Sequence, residues 1–82
     1  MQHIKTDEAC PMTRFRSGTR VRLEAMSMDA VEAQRLREMG LREGMQLAII
    51  QNTQNLIVGV IAGRIGIRRD LARKLLATRI AH

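Results

Sequence analysis

One stretch of the chain carries the three-residue repeat of apolar side chains that is typical of an amphipathic helix. The repeat consists of Ala33, Leu36 and Met39, and it predicts a helix whose apolar stripe packs against the core. Asp29 precedes the repeat in the position of an N-cap, and Glu32 follows three residues later, as in a capping box. The helix is therefore predicted to begin at Asp29.

The end of this helix is predicted by a glycine. Gly40 directly follows the apolar repeat, and a left-handed backbone conformation costs glycine little. Leu41 and Leu36 then occupy the two positions that form the hydrophobic contact of a Schellman motif. Gly44 indicates a second turn shortly afterwards. We therefore expect the chain to reverse between the two glycines and to continue as a strand.

Alternating apolar and polar residues predict strands on both sides of the helix. Before the helix, Val21 and Leu23 alternate with charged residues, and Gly18 opens this strand. After the helix, residues 45–49 alternate in the same way. A polar loop at residues 51–55 then separates this strand from the next one, at the length expected for a hairpin.

The second half of the chain is predicted to hold three more strands and one short helix. Residues 56–62 are apolar at consecutive positions, as in a strand that is covered on both faces or one that lines a groove. A tight turn is predicted at Gly63 and Arg64, and a short strand follows it. A short helix over residues 69–76 and a closing strand at residues 78–80 complete the chain.

These elements predict a mostly β fold, a small and strongly bent antiparallel barrel with one α-helix inserted after the first strand and a short C-terminal helical turn. The corners of the barrel are assigned to four turn glycines, which are Gly18, Gly40, Gly44 and Gly63. Residues 1–11 lack periodicity and are predicted to be a flexible N-terminal tail. Residues 12–82 are predicted to form one domain.

Composition adds a constraint on the core and a constraint on partners. Phe15 is the only aromatic residue, so the core must be aliphatic. The net charge is +6, and residues 64–82 carry six of the fourteen Lys and Arg residues against one of the eight Asp and Glu residues. Such a basic end indicates an acidic partner, a nucleic acid or an anionic membrane surface, and the alternative is a solvated basic face.

No pattern of residues indicates catalysis or a cofactor. The sequence contains no constellation of nucleophile, acid and base, no phosphate-binding loop and no C-x-x-C or H-E-x-x-H spacing. His3 and Cys10 would need further metal ligands, and the remaining histidine is His82. We therefore expect a protein that is not an enzyme and has no cofactor, with weak transition-metal binding as an alternative.

Cysteine usage and hydropathy bear on the location of the protein. Cys10 is the only cysteine, so no intramolecular disulfide can form. The longest apolar run, residues 56–63, is far shorter than the roughly 20 residues of a membrane-spanning helix, so membrane insertion is not expected. A cytoplasmic location is predicted.

A nucleic-acid-binding module is the alternative from another functional class, because small barrels bind single strands through a basic groove and aromatic stacking platforms. The basic residues Arg68, Arg69, Arg73 and Lys74 could contact phosphates without sequence preference. The chain has no Tyr or Trp to provide stacking platforms, which disfavours nucleic acid as a partner.

Two segments together resemble a known family. Residues 34–44, QRLREMGLREG, resemble the RL-x-x-(L/M)-G-(L/M)-x-x-G signature of the FeoA family. Residues 63–72, GRIGIRRDLA, resemble a second glycine-containing run of the same family, and Gly18 matches the glycine that opens its first strand. The resemblance covers about residues 12–80. Glu43 stands where the family often has proline before the turn glycine.

The resemblance implies an SH3-like barrel and an accessory role in ferrous iron uptake. Members of the family are thought to dock on the cytoplasmic G-protein part of the membrane iron transporter FeoB, so the protein is expected to reach the inner face of the membrane through this partner. An aliphatic cleft for an apolar partner segment, or for a second copy of the chain, is predicted between Leu36, Met39 and Leu41 and the strand at residues 56–60. The basic end is expected to steer the protein toward an acidic partner or the inner membrane face. The partner-binding residues are Leu36, Met39, Leu41, Arg68, Arg69, Arg73 and Lys74. For Leu36 and its neighbours, the alternative is a place in the core.

Overall fold

The computed structural model describes residues 8–80. The described strands are β1 (Cys10–Pro11), β2 (Arg20–Met26), β3 (Gln46–Asn52), β4 (Asn55–Val60), β5 (Gly63–Arg68) and β6 (Leu75–Arg79). The described helices are a 3₁₀ helix (Met12–Arg14), α1 (Ala30–Glu38) and α2 (Arg69–Ala72).

The strands form one antiparallel sheet in the order β1-β6-β2-β3-β4-β5. The register shifts twice, between Leu23 and Ala25 where β2 pairs with β6, and between Ile49 and Gln51 where β3 pairs with β4. Extra residues of this kind bend a strand and increase its twist. The sheet therefore curves around its own apolar face, and the predicted mostly β fold class is confirmed.

The core lies inside this curved sheet and is aliphatic, as predicted. Strands contribute most of it, and Met12, Leu36, Leu41 and Ala72 add the side chains of the helices and the chain reversal. Phe15 is only partly buried and packs against the outside of this cluster. The strand residues of the core are Val21, Leu23, Leu47, Ile49, Leu56, Val58, Ile65, Ile67, Leu75 and Ala77.

The start of α1 agrees with the sequence prediction. A side-chain oxygen of Asp29 accepts a hydrogen bond from the backbone N–H of Glu32 at 2.8 Å, which satisfies one of the free donors at the helix N-terminus. The carboxylate of Glu32 instead lies 3.7 Å from the Nζ of Lys74. This contact links the first turn of α1 to the residue just before β6.

The end of α1 is a Schellman motif. The Leu41 N–H donates to the Leu36 carbonyl at 3.0 Å, and the Gly40 N–H donates to the Arg37 carbonyl at 3.0 Å. Gly40 has a φ of +111°, in the left-handed region. Leu36 and Leu41, the two residues predicted to form the hydrophobic contact, are both buried in the core cluster.

The inward stripe of α1 is shorter than predicted. Ala33 and Leu36 are buried, but Met39 is 50% exposed, so its predicted place in the core is wrong. Met39 is the C-cap, and the chain leaves the helical path at the next residue, Gly40. The three-residue period therefore stops applying where the helix stops.

Three further boundaries differ from the sequence predictions. Pro11 and Cys10, assigned to the tail, pair with Leu76 and Ala77 of β6, while residues 1–7 lie outside the described range. The hairpin turn precedes Gly63, which is the first residue of β5 and pairs with Val60. The second helix, α2, was predicted to extend to residue 76 but ends at residue 72, because β6 begins at residue 75. All four predicted turn glycines nevertheless have a positive φ.

The conformation of Gly40 predicts a specific loss of stability. We expect Gly40→Ala to lower the free energy of unfolding by about 1–2 kcal/mol, because a Cβ disfavours left-handed backbone. The added Cβ would lie 3.8 Å from the Cδ1 of Ile65, an ordinary contact, so the effect isolates the backbone conformation. The matched control is Gly66→Ala, where a Cβ meets no atom within 4 Å and φ is not positive. Urea unfolding that shows equal losses for both variants would contradict the prediction.

Candidate functional site

An apolar cleft opens beside the chain reversal, with a volume of about 360 Å³. The end of α1 forms one wall, and the β4–β5 hairpin forms the other. We call this site the apolar cleft. It is lined by Met39, Gly40, Met45, Val60, Ile61, Ala62, Gly63, Arg64 and Ile65.

The tight hairpin explains why an isoleucine is exposed at the cleft. Val60 pairs with Gly63, so only Ile61 and Ala62 connect β4 to β5. Both residues of such a turn point away from the sheet, and the Ile61 side chain is fully exposed, at 107% of its reference area. Residues 56–62 were predicted to be one covered strand, but the strand ends at Val60 and leaves Ile61 in solvent.

Two methionines line the apolar cleft. Met45 is partly buried against the core, and its sulfur accepts a hydrogen bond from the Arg42 N–H at 3.1 Å. Met39 directly precedes the glycine of the Schellman motif and is half exposed. Methionine side chains are flexible and polarisable, so they adapt to differently shaped apolar partners. The apolar cleft therefore combines a fixed backbone with adaptable side chains.

An ion pair spans the chain reversal next to the cleft. The Nη2 of Arg37 lies 2.8 Å from the Oε2 of Glu43, which joins the last turn of α1 to the residue before Gly44. The hydrogen bond from Arg37 is the main cause that lowers the pKa of the Glu43 carboxyl below its ordinary value. Glu43 stands at the position where the sequence analysis noted that a proline is frequent, and here its ion pair with Arg37 crosses the turn.

The three apolar residues that were predicted to bind a partner differ in their exposure to solvent. Leu36 and Leu41 are 1% and 0% exposed, so neither can contact a partner while the fold is intact. Their place is the core, which was the alternative prediction. Met39 alone among the three faces the apolar cleft. The sequence prediction did not include Met45 and Ile61 among the binding residues, and no sequence pattern distinguishes Ile61 from the apolar strand residues that precede it.

The predicted basic end does not form one uniform patch. The guanidinium of Arg69 donates to the Asn52 side chain and to the Thr53 carbonyl, so it fastens α2 to the β3–β4 loop. Arg68 lies 3.7 Å from the Asp70 carboxylate, and Lys74 lies near Glu32. Arg73 is exposed. Three of these four cations therefore already have intramolecular contacts.

The described part of the chain offers no metal site of ordinary composition. Among residues 8–80, no three His, Cys, Asp or Glu side chains come close enough together to hold a metal ion. Cys10 is partly buried in β1, while His3 and His82 lie outside the described residues. Within the same range, no helix is long and apolar enough to cross a membrane.

Leu36 is buried and Met39 is half exposed, and this difference can be tested by substitution. We expect Leu36→Ala to lower the free energy of unfolding by about 2–5 kcal/mol, because it leaves a cavity in the core. Met39→Ala should lower it by much less, about 0.5 kcal/mol, because Met39 is 50% exposed and lies outside the core. Equal losses in chemical denaturation would show that Met39 belongs to the core after all.

The ion pair across the reversal predicts a measurable titration shift. We expect the pKa of Glu43 to rise towards its ordinary value in Arg37→Gln, since the variant removes the hydrogen bond that favours the carboxylate. The pair contributes while Glu43 is ionised and is lost as pH falls through the lowered pKa. Side-chain carboxyl NMR would follow the titration, with Arg35→Gln as the control of equal charge change. A Glu43 pKa that is unchanged in Arg37→Gln would refute this contact.

Comparison with solved structures shows the same fold in three other proteins. A crystal structure of an iron uptake regulatory protein (FeoA) is 19% identical in sequence, with a TM-score of 0.79 over 88% of this chain and 97% of that one. A solution structure of the FeoA protein from Chlorobium tepidum is 18% identical, with a TM-score of 0.76 over 84% of this chain and 69% of that one. The FeoA-like protein from Clostridium acetobutylicum is 10% identical, with a TM-score of 0.79 over 90% of each chain. The shared fold is a small SH3-like barrel, as predicted.

Sequence comparison supplies the family. No curated protein sequence matches the chain significantly. The model of the FeoA domain matches residues 10–79, which is most of the chain and begins at β1. The match therefore includes the strand at residues 10–11 that the sequence prediction had assigned to the tail. The chain belongs to the FeoA domain family, and this membership supports an accessory role in ferrous iron transport.

Proposed function

We propose that the protein regulates ferrous iron uptake by docking its apolar cleft on the cytoplasmic G-protein part of a FeoB membrane iron transporter. The proposal requires no catalytic step, because the contact itself would alter the transporter. It also implies that the protein works at the inner face of the membrane, held there by its partner. Membership of the FeoA domain family supports the transport role, and the cleft supports docking as the means.

The observation that carries the docking proposal is the exposure of Ile61. A fully exposed isoleucine at the tip of a two-residue turn contributes nothing to the core, and it lies beside the half-exposed Met39. Contiguous exposed apolar groups on soluble proteins mark interaction sites. Covering an isoleucine side chain is worth about 1.5–3 kcal/mol, which is roughly a 10- to 150-fold change in affinity.

The lining of the cleft defines the chemistry of the partner segment. SH3 domains bind polyproline through aromatic side chains, and no aromatic residue lines this cleft. Aliphatic and methionine side chains instead favour an aliphatic segment. Arg64, at the rim, would favour a carboxylate beside that segment in the partner. The expected ligand is therefore an aliphatic segment of the transporter, flanked by an acidic residue.

Removing the exposed isoleucine provides the test. We expect Ile61→Ser to weaken binding to the purified G-protein domain of the same organism's transporter at least tenfold, because the docked face loses its most exposed apolar side chain. Val31→Ser is the matched control, since Val31 is also an exposed aliphatic residue, at 69%, but lies on α1 outside the cleft. Affinity would be measured by calorimetry at two salt concentrations.

The outcomes separate the docking proposal from its alternatives. Equal affinity of both variants and the unsubstituted chain would remove the apolar cleft from the interface. Tight, salt-sensitive binding of a short single-stranded RNA without any contact to the G-protein domain would indicate a nucleic-acid module instead. Sedimentation of Ile61→Ser and the unsubstituted chain would show whether a second copy occupies the cleft.

A further inference from the structure

A second surface of the molecule is strongly basic and lies outside the apolar cleft. Two adjoining depressions, of about 220 and 360 Å³, share Arg16, Thr19 and Arg79 in their walls. Arg14 and Arg20 lie at the two ends of this surface. We call it the basic groove, and its remaining lining consists of Phe15, Ser17, Gly18 and Ile80.

The fold brings these arginines together from opposite ends of the chain. Val21 of β2 pairs with Arg79 of β6, so Arg79 stands beside the segment that leads into β2. Three backbone hydrogen bonds hold that segment in place: Gly18 N–H donates to the Ile49 carbonyl at 2.6 Å, Ile49 N–H donates to the Thr19 carbonyl at 2.8 Å, and Thr19 N–H donates to the Arg16 carbonyl at 3.1 Å. The basic groove is therefore built on a fixed backbone.

The charges of the basic groove are not neutralised within the described chain. Over residues 8–80, the ion pairs within 4 Å join Arg37 to Glu43, Arg68 to Asp70 and Lys74 to Glu32, and no arginine of the groove takes part. No Asp or Glu among the described residues lines the groove. The guanidiniums of the groove arginines also form no side-chain hydrogen bond within residues 8–80, where the arginines that do so are Arg37 and Arg69. Each of the two depressions is thus lined by three arginines, four in all, with no carboxylate among the described residues that line them, which favours an anionic ligand.

The donor types in the basic groove suit a phosphoryl group. A guanidinium presents a planar fork of N–H donors that matches two phosphate oxygens, and it remains charged at any physiological pH. The hydroxyls of Ser17 and Thr19 add neutral donors between the arginines. Phe15, packed against the core, closes one side with an apolar wall. The larger depression also falls within the roughly 300–1,000 Å³ of small-ligand sites.

We propose that the basic groove is a phosphoryl-binding site, formed where the residues before β2 meet the end of β6. The phosphoryl group belongs either to a soluble phosphate compound or to the headgroup of an anionic lipid, and both present the same oxygens to the arginines. The proposal is independent of docking at the apolar cleft, because the two sites share no lining residue.

The test compares two double variants of equal charge. Arg16→Gln with Arg79→Gln removes two cations from the basic groove, and Arg68→Gln with Arg73→Gln removes two from the basic end. Each variant lowers the net charge of +6 by two. The probes are sodium pyrophosphate, followed by amide NMR titration at about 0.1 M salt, and phosphatidylglycerol-containing vesicles, followed by co-sedimentation. Phosphatidylcholine vesicles are the reference surface.

We expect the full chain to bind pyrophosphate with amide shifts confined to residues 14–20 and 79–80. The groove variant should bind at least tenfold more weakly, while the control variant should keep its affinity within about twofold. Retention on phosphatidylglycerol vesicles, lost in the groove variant and reversed by pyrophosphate, would identify the lipid headgroup as the source. Binding of pyrophosphate alone would identify a soluble phosphate compound.

Two results would overturn the proposal. One is the absence of binding to either probe by the full chain. The other is an equal loss in both double variants, which would show that net charge alone attracts the anions. All four substituted arginines are exposed, and Arg16 and Arg79 form no ion pair with another residue of the range 8–80. Matching NMR spectra of the variants away from the substitutions would confirm that both remain folded.

Discussion

The left-handed stop at Gly40 is the constraint on which the rest of the molecule depends. It ends α1 at Met39 and lets the Leu41 N–H donate to the Leu36 carbonyl, and both leucines are buried in the core. The same stop leaves Met39 outside the core. The turn at Gly40 therefore accounts both for the burial of Leu41 and for the exposure of Met39. Met39 and Gly40 line the apolar cleft, so the cleft begins at this turn.

Local patterns predicted much of the fold, because local hydrogen bonds determine the two ends of α1 and the burial of one strand face produces a period of two in the sequence. The N-cap at Asp29, the Schellman motif at Gly40 and the alternation around Val21 and Leu47 involve residues close in sequence. The exposure of Ile61 could not be predicted in this way. Whether an apolar run ends at residue 60 or 62 depends on the register of β4 against β5, which is a property of two strands together.

The distribution of charge was even less accessible from the sequence. The density of basic residues is highest after residue 63, yet Arg68, Arg69 and Lys74 there have contacts within the protein. Three arginines of the basic groove, Arg14, Arg16 and Arg20, instead come from the first quarter of the chain, and the pairing of β2 with β6 brings Arg79 to them. A count of charges cannot distinguish a cation that holds the fold together from a cation that is free to meet a ligand.

The two borders of the sheet have a consequence for the behaviour of the protein at high concentration. One border is β1, a strand of two residues that includes Pro11, which has no N–H to offer to an incoming strand. The other is β5, where Arg64 and Arg68 stand exposed along the open side. A short border with proline and a border lined by like charges both resist the addition of a further strand. An aliphatic barrel of this size can thus remain dispersed in a crowded solution while its exposed isoleucine stays available.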